Sequence, residues 1–173
     1  MDLKEKIMNV PDFPKKGIVF RDITTLLQDP HALRHSVGLM AEHYRETKID
    51  KVVATESRGF IFGAILAHQL ETGFVPLRKP GKLPRKTIRQ EFETEYSTDA
   101  FEVHEDAIEK GDDCLVVDDL IATGGTTKAS CELVEKLGGN VAGVAALIEF
   151  TFLDAQEKLK GYDVFSLVQY DSE

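Results

Sequence analysis

The sequence predicts an α/β domain with a mostly parallel central sheet flanked by helices, and three observations carry that prediction. Short apolar runs of the kind buried inside a parallel sheet recur at Val52-Val53-Ala54, Cys114 to Val117, Val141 to Ile148 and Val164 to Val168. Segments with helical spacing or composition separate them, so strands and helices alternate rather than falling into blocks. The chain has 173 residues, 42% apolar and 29% charged, a balance that fits one compact globular domain.

Each element has its own signal. Leu3, Ile7 and Met8 predict a short N-terminal helix that ends before Pro11. Asp12 to Thr25 carries Pro14, Gly17 and the apolar Ile18-Val19-Phe20, and reads as an irregular lead-in. Asp29-Pro30 is a strong helix start, a capping carboxylate followed by proline at the first helical position. Leu33, Val37, Met40, Ala41 and Tyr44 then recur at helical spacing to about Lys48. After the run at 52–54, Gly59 to Leu70 is an apolar helix stopped by Gly73. Phe74 to Leu77 reads as a strand with Pro76 near an edge or a bulge. The next thirty or so residues lack clean periodicity. The sheet resumes at Cys114, Thr126 to Leu137 is a helix ended by Gly138-Gly139, and two strands follow. No repeat, low-complexity tract or linker divides the chain, so residues 1–173 read as one domain.

Composition excludes several classes of function. A formal net charge of −9 argues against a general nucleic-acid or anionic-membrane binder, which needs a basic surface. No apolar run approaches the ~18 residues that span a bilayer, and the charged start Met1 to Lys6 is not a secretory signal. The two cysteines, Cys114 and Cys131, sit in segments that read as buried and lack zinc spacing. A reduced, cytoplasmic setting is expected over a disulfide.

The most informative segment runs from Cys114 to Thr127: a buried strand, the carboxylates Asp118-Asp119, a glycine/threonine loop and a helix start. Ala122, Thr123, Gly124, Gly125 and Thr126 can present consecutive backbone N–H groups, with threonine hydroxyls beside them, which at a helix N-terminus makes a phosphate cradle. The spacing is neither that of a nucleoside-triphosphate loop nor that of a dinucleotide fold. Two carboxylates would repel a bare phosphate. They make sense as acceptors for ligand hydroxyls or for the waters of a bound cation, so a sugar phosphate satisfies both halves. Alone, an Asp-Asp would merely end a strand and a Gly-Gly merely turn the chain.

This ordered combination resembles the type I phosphoribosyltransferases, whose signature for 5-phosphoribosyl 1-pyrophosphate is an apolar strand, two acidic residues and a Thr-Gly-x-Thr loop. Further segments are similar to the adenine-using members: Phe13-Pro14 leading to Gly17-Ile-Val-Phe-Arg-Asp-Ile-Thr24, Glu56 to Gly63, Arg78 to Pro84, Glu95-Tyr96, and Phe165 to Tyr170. The resemblance covers the whole chain. It implies a small N-terminal base-binding hood at about residues 1–28, a mobile lid at about residues 78–102, and a homodimer.

Arg78 to Gln90 hold Arg78, Lys79, Lys82, Arg85, Lys86 and Arg89 and no acid, so these cations read as uncompensated until an anion such as pyrophosphate arrives. Pro80, Gly81 and Pro84 punctuate the segment, as suits a lid that closes over substrate. Ser57-Arg58-Gly59 follows a strand and opens a helix, a second place where N–H groups and a guanidinium can meet an anion. In the family this loop binds pyrophosphate, and the peptide before the arginine is commonly cis. Sequence alone makes Glu95 an ordinary solvated carboxylate. The resemblance gives Glu95-Tyr96 a catalytic place in the lid, with Glu95 hydrogen-bonding or protonating N7 of the base. Ser97 stands where glycine is usual.

For the base, the resemblance implies contacts from Val19, Phe20 and Arg21, largely through backbone, with Phe150 on the opposite face. Read without it, the three apolar residues are core packing and Arg21 an ion pair. Ala122 sits where relatives that use 6-oxopurines usually carry aspartate, which argues for adenine. The expected reaction is transfer of the phosphoribosyl group from 5-phosphoribosyl 1-pyrophosphate to adenine, giving AMP and pyrophosphate. Mg²⁺ is the expected cofactor, held mainly by substrate oxygens and water. The rivals are a phosphoribosyltransferase for another base, such as xanthine or guanine, and a non-catalytic regulator that senses the sugar pyrophosphate.

Overall fold

A computed structural model describes residues 1–93 and 98–172. Its elements are β1 (Met8–Pro11), β2 (Val19–Asp22), α1 (Thr24–Gln28), α2 (Pro30–His43), β3 (Lys51–Thr55), α3 (Gly59–Gln69), β4 (Gly73–Leu77), β5 (Thr87–Glu93), β6 (Thr98–His104), β7 (Asp113–Ile121), α4 (Gly125–Lys136), β8 (Asn140–Phe150), α5 (Ala155–Lys158) and β9 (Val164–Tyr170). A five-stranded sheet in the order β4-β3-β7-β8-β9, parallel throughout, forms the centre.

The apolar runs are continuous because both faces of this sheet are covered. Val52, Ala54, Leu115 and Val117 enter one core with α2 and α3, whereas Val53, Cys114 and Val116 enter the other with α4. Asp29 caps α2 as expected, accepting hydrogen bonds from the His31 and Ala32 N–H groups at 2.9 and 3.2 Å. Pro76 lies on the edge strand opposite Ala54. Both cysteines are buried free thiols, and burial pushes each up to about 12. No helix among the described residues is long and apolar enough to cross a membrane.

Several expectations need correction. The N-terminal helix is one 3₁₀ turn, Lys4–Lys6, and Met8 already belongs to β1. The irregular lead-in is ordered: β1 and β2 pair as an antiparallel hairpin, and α1 follows. Helix α2 stops at His43, because Tyr44 leaves the helix to fill the core, its hydroxyl donating to the Val144 carbonyl at 3.0 Å. Gly143 makes room for that ring, since a Cβ there would lie 2.6 Å from Tyr44 Cε1. The aperiodic stretch is the antiparallel hairpin β5–β6. Strand β7 runs on to Ile121, so Asp118 and Asp119 are strand residues. The 3₁₀ turn Thr151–Leu153 and α5 had no sequence signal.

Candidate active site

Strand β3 leads through α3 to β4 on one side of the sheet, while β7 leads through α4 to β8 on the other. The chain therefore diverges between β3 and β7, which is where open α/β sheets bind ligands. A cavity of about 460 Å³ opens beyond the carboxyl ends of these two strands. Glu56, Ser57 and Arg58 wall it from the β3–α3 loop, Ala122 to Thr127 from the β7–α4 loop, and Asp118 and Asp119 from β7. Lys79, Phe92, Asp99 and Phe101 complete the rim.

Two helix N-termini border this cavity, and neither α3 nor α4 has a side-chain cap. At α4 the first N–H groups remain available to an anion, whereas at α3 the Phe60 and Ile61 N–H groups already donate to the Ser57 and Arg58 carbonyls at 3.3 and 3.2 Å. Gly124 is required for the turn. Its φ is +79°, and a Cβ there would come within 3.1 Å of the Ala155 carbonyl oxygen. The Thr123-Gly124-Gly125-Thr126 loop thus lines the cavity at the uncapped start of α4.

The carboxylates lie beside it. Asp118 and Asp119 are 8% and 6% exposed. Asp119 Oδ2 sits 2.6 Å from Arg58 Nε. Asp118 Oδ1 accepts the Asp119 N–H at 2.8 Å, and the Thr55 hydroxyl also reaches this carboxyl. Burial, reinforced by the negative charge of Asp119, raises the Asp118 carboxyl well above the usual range. Glu56 behaves oppositely. Burial pushes it up, but hydrogen bonds from Arg78 and the Lys79 N–H, with the charge of Lys82, hold it below its ordinary value.

The basic segment is not uncompensated. Arg78 Nε lies 2.5 Å from Glu56, with Lys82 at 4.0 Å from the same carboxylate. Lys79 pairs with Asp99 and Arg85 with Asp106. Lys86 is 4.0 Å from Glu105 and Arg89 is 3.1 Å from Glu91. The expectation of free cations fails because four of these acids (Glu91, Asp99, Glu105 and Asp106) lie within the β5–β6 hairpin or just after it, beyond residues 78–90 in sequence but beside them in space.

Ser57, Arg58, Lys79, Asp118, Asp119, Ala122, Thr123, Gly124, Gly125 and Thr126 all line the cavity. Arg78 and Lys82 do not, and stand against Glu56. The four residues expected at the base are outside the cavity wall too. Phe20 nevertheless reaches the site, its ring centre 5.7 Å from the Arg58 guanidinium carbon. Arg21 turns away, its Nη1 donating to Asn9 Oδ1 at 2.6 Å. Val19 is half-buried in β2, and Phe150 packs edge-on against Tyr170. Glu95, Tyr96 and Ser97 lie outside the described residues. A cis peptide is present, but between Glu56 and Ser57, one bond earlier than expected. Sequence reading missed Thr55, Glu56, Phe92, Asp99, Phe101 and Leu120 as cavity residues, whereas Thr127, expected to add its hydroxyl to the loop, lines the cavity. Thr55, Glu56 and Leu120 adjoin the motifs and were within reach, whereas Phe92, Asp99 and Phe101 required the hairpin.

The sequence pattern of the family described as "Phosphoribosyl transferase domain" matches residues 22–170. The chain is 57% identical to an adenine phosphoribosyltransferase of Acetivibrio thermocellus, over 98% of this chain and 100% of that protein. The crystal structure of adenine phosphoribosyltransferase from Thermoanaerobacter pseudethanolicus superposes with a TM-score of 0.94 at 51% identity, covering 97% of this chain and 98% of that one. That of the Saccharomyces cerevisiae enzyme, complexed with an imino-altritol bisphosphate and adenine, has a TM-score of 0.90 at 40% identity, covering 95% and 96%.

Proposed function

The chain belongs to the phosphoribosyl transferase family, and we propose from that premise that it transfers the phosphoribosyl group of 5-phosphoribosyl 1-pyrophosphate to N9 of adenine, releasing AMP and pyrophosphate, a purine-salvage reaction. One observation carries the reading: an uncapped phosphate loop, a buried carboxylate pair and the cations Arg58 and Lys79 meet in a single cavity. A sugar carrying a phosphate at one end and a pyrophosphate at the other uses every part of that arrangement.

The residues divide the work. The loop from Ala122 to Thr126 anchors the 5-phosphate, and its remote binding energy fixes the reacting carbon. Asp118 and Asp119 accept hydrogen bonds from the ribose hydroxyls. When ionised, they favour the positive charge that builds on the ring as adenine N9 attacks C1 and pyrophosphate departs. Ser57, Arg58, Lys79 and Lys82 receive the departing anion, with Arg78 held behind them by Glu56. Glu95 and Tyr96, which follow β5 in the sequence, act at the base, with Glu95 at N7. The hood, about residues 1–28, supplies Val19, Phe20 and Arg21, largely through their backbone, to one side of the base, and Phe150 stands on the other. The lid, about residues 78–102, excludes water during transfer.

Mg²⁺ would be held mainly by substrate oxygens and water, with the Asp118 and Asp119 carboxylates able to accept hydrogen bonds from those waters. When bound, the ion offsets negative charge on the pyrophosphate. The same reading includes a homodimer and a cytoplasmic setting, the latter in accord with two buried free thiols.

The test is a product assay with the sugar pyrophosphate and Mg²⁺, offering adenine, hypoxanthine, guanine, xanthine, uracil and orotate separately. AMP from adenine alone is expected. Turnover of a different base overturns the choice of adenine, and no turnover with tight binding of the sugar pyrophosphate favours the regulator.

A further inference from the structure

We propose that Tyr170 is a positioning residue for base recognition: its ring, held by the Arg21 guanidinium, fixes the N-terminal hairpin against Phe150 and so sets the width of the slot for the base. The inference rests on the reading above, in which Val19 to Arg21 and Phe150 frame adenine.

Side chains alternate along β2. Phe20 turns toward Arg58 at the cavity, so its neighbour Arg21 turns the other way. The Arg21 residue is only 9% exposed, and no carboxylate among the described residues lies within ion-pair distance of it. A buried guanidinium without a carboxylate is costly unless other groups hold it in a defined place. Asn9, its partner across the hairpin, accepts from Nη1, and the guanidinium carbon lies 4.2 Å from the centre of the Tyr170 ring. A planar cation placed over an aromatic face is the contact that remains to it among the described residues.

Tyr170 carries the restraint onward. It stands opposite Phe150 in the β8–β9 register, and the two rings meet edge-on, 6.0 Å apart at 82°. The Thr151 hydroxyl donates to the Tyr170 carbonyl at 3.0 Å, which ties the residue after Phe150 to the same place. Lys4 adds a second cation from the N-terminal segment, its Nζ 4.4 Å from the ring centre while donating to the Gln169 carbonyl at 3.1 Å. Two cations from the N-terminal segment thus close on one ring of the last strand, and that ring touches the residue assigned to the far side of the base.

The structure also separates ring from hydroxyl. Among the described residues, neither the buried Tyr170 hydroxyl nor Arg21 Nε has a hydrogen-bond partner. The ring is therefore the functional part, and a phenylalanine should serve as well.

Steady-state kinetics on the full chain decide the matter, with adenine and the sugar pyrophosphate varied in turn. Tyr170→Leu is expected to raise KM for adenine about tenfold, equivalent to ~1.4 kcal/mol. KM for the sugar pyrophosphate should stay within about twofold, because the phosphate loop and the carboxylates are untouched. Tyr170→Phe should match the wild type in both constants. Should Tyr170→Leu fail to fold, Arg21→Lys keeps the charge but loses the planar stack, and the same split is expected. Equal rises in both KM values, no rise in either, or a Tyr170→Phe variant as impaired as Tyr170→Leu overturns the proposal. A wild-type chain inert toward adenine overturns the underlying reading along with it, whereas an active one leaves the variants testing this inference alone.

Discussion

Gly59 opens α3 directly beneath the carboxylate pair, and Gly59→Ala probes that packing with a single methyl group. A Cβ there would lie 2.8 Å from Thr55 Oγ1, 3.0 Å from Asp118 Oδ1 and 3.2 Å from the Val117 carbonyl oxygen. The carbonyl belongs to the central strand and cannot retreat. The Thr55 hydroxyl can move only by releasing Asp118, so the methyl displaces the carboxylate assigned to the ribose. Overpacking of this kind costs about 2 kcal/mol, within the usual 1–3, and lowers Tm by roughly 4–8 °C in a chain of this size. The kinetic loss should exceed the loss of stability: a displacement of a few tenths of an ångström at a reacting centre lowers kcat/KM for the sugar pyrophosphate by about 10- to 100-fold. Gly63→Ala is the matched comparison on the same helix. Its Cβ would lie 2.6 Å from Ala54 Cβ and 3.1 Å from Phe74 Cε2, within the core between α3 and β3–β4. It should lower Tm at least as far and leave both KM values within about twofold of wild type. Kinetic constants unchanged in Gly59→Ala, or depressed equally in both variants, would refute the placement of Asp118 at the sugar.

The remaining predictions concern charge. Asp118 keeps its proton in the native state above its ordinary value of 3.8, so the native state binds more protons than the unfolded one and stability falls as pH rises through that window. Asp118→Asn should therefore raise Tm at pH 8, with the gain vanishing toward pH 4, while sugar binding weakens; a Tm difference independent of pH contradicts the buried proton. Asp119→Asn frees Arg58, so calorimetry should show inorganic pyrophosphate binding more tightly and the sugar pyrophosphate more weakly; changes of the same sign for both ligands count against the dual role of Asp119. Glu95→Ala should lower kcat by about 100-fold or more with KM for the sugar pyrophosphate little changed, and unaltered turnover removes Glu95 from the mechanism.

The parallel sheet was legible because burial on both faces writes strands as unbroken apolar runs, as at Val52 to Ala54 and Cys114 to Val117. The glycine/threonine loop was legible because its backbone conformation restricts the side chains, with Gly124 at positive φ. The β5–β6 hairpin was not. Its inward face along β5 reads Ile88, Gln90, Phe92, so the polar middle residue breaks the alternation that marks a strand. The N-terminal hairpin hid behind Pro14 and Gly17, which sit in its turn rather than in its strands. Tyr44 misled for a different reason: it keeps the helical spacing of α2 yet lies beyond its end, buried by contact with β8. Spacing along a chain reports which residues are buried, not which element buries them.

The same limit explains the charges, and it changes how ligand binding must be understood. Counted along the sequence, the basic segment seemed to wait for an anion. Folded, the two cations that line the cavity already have one each: Asp119 holds Arg58 and Asp99 holds Lys79. An arriving pyrophosphate therefore replaces one carboxylate by another anion, and its net gain is the difference between two pairings rather than the whole of one. That exchange is costly for pyrophosphate alone, because it strands Asp119 as a buried charge with no partner. A ligand that brings hydroxyls to Asp119 while its pyrophosphate takes Arg58 repays the cost within the same molecule. Under the proposed function, the Arg58–Asp119 pair at 2.6 Å would thus select for ligands that carry both groups at the right separation, which is what a sugar pyrophosphate has and inorganic pyrophosphate lacks.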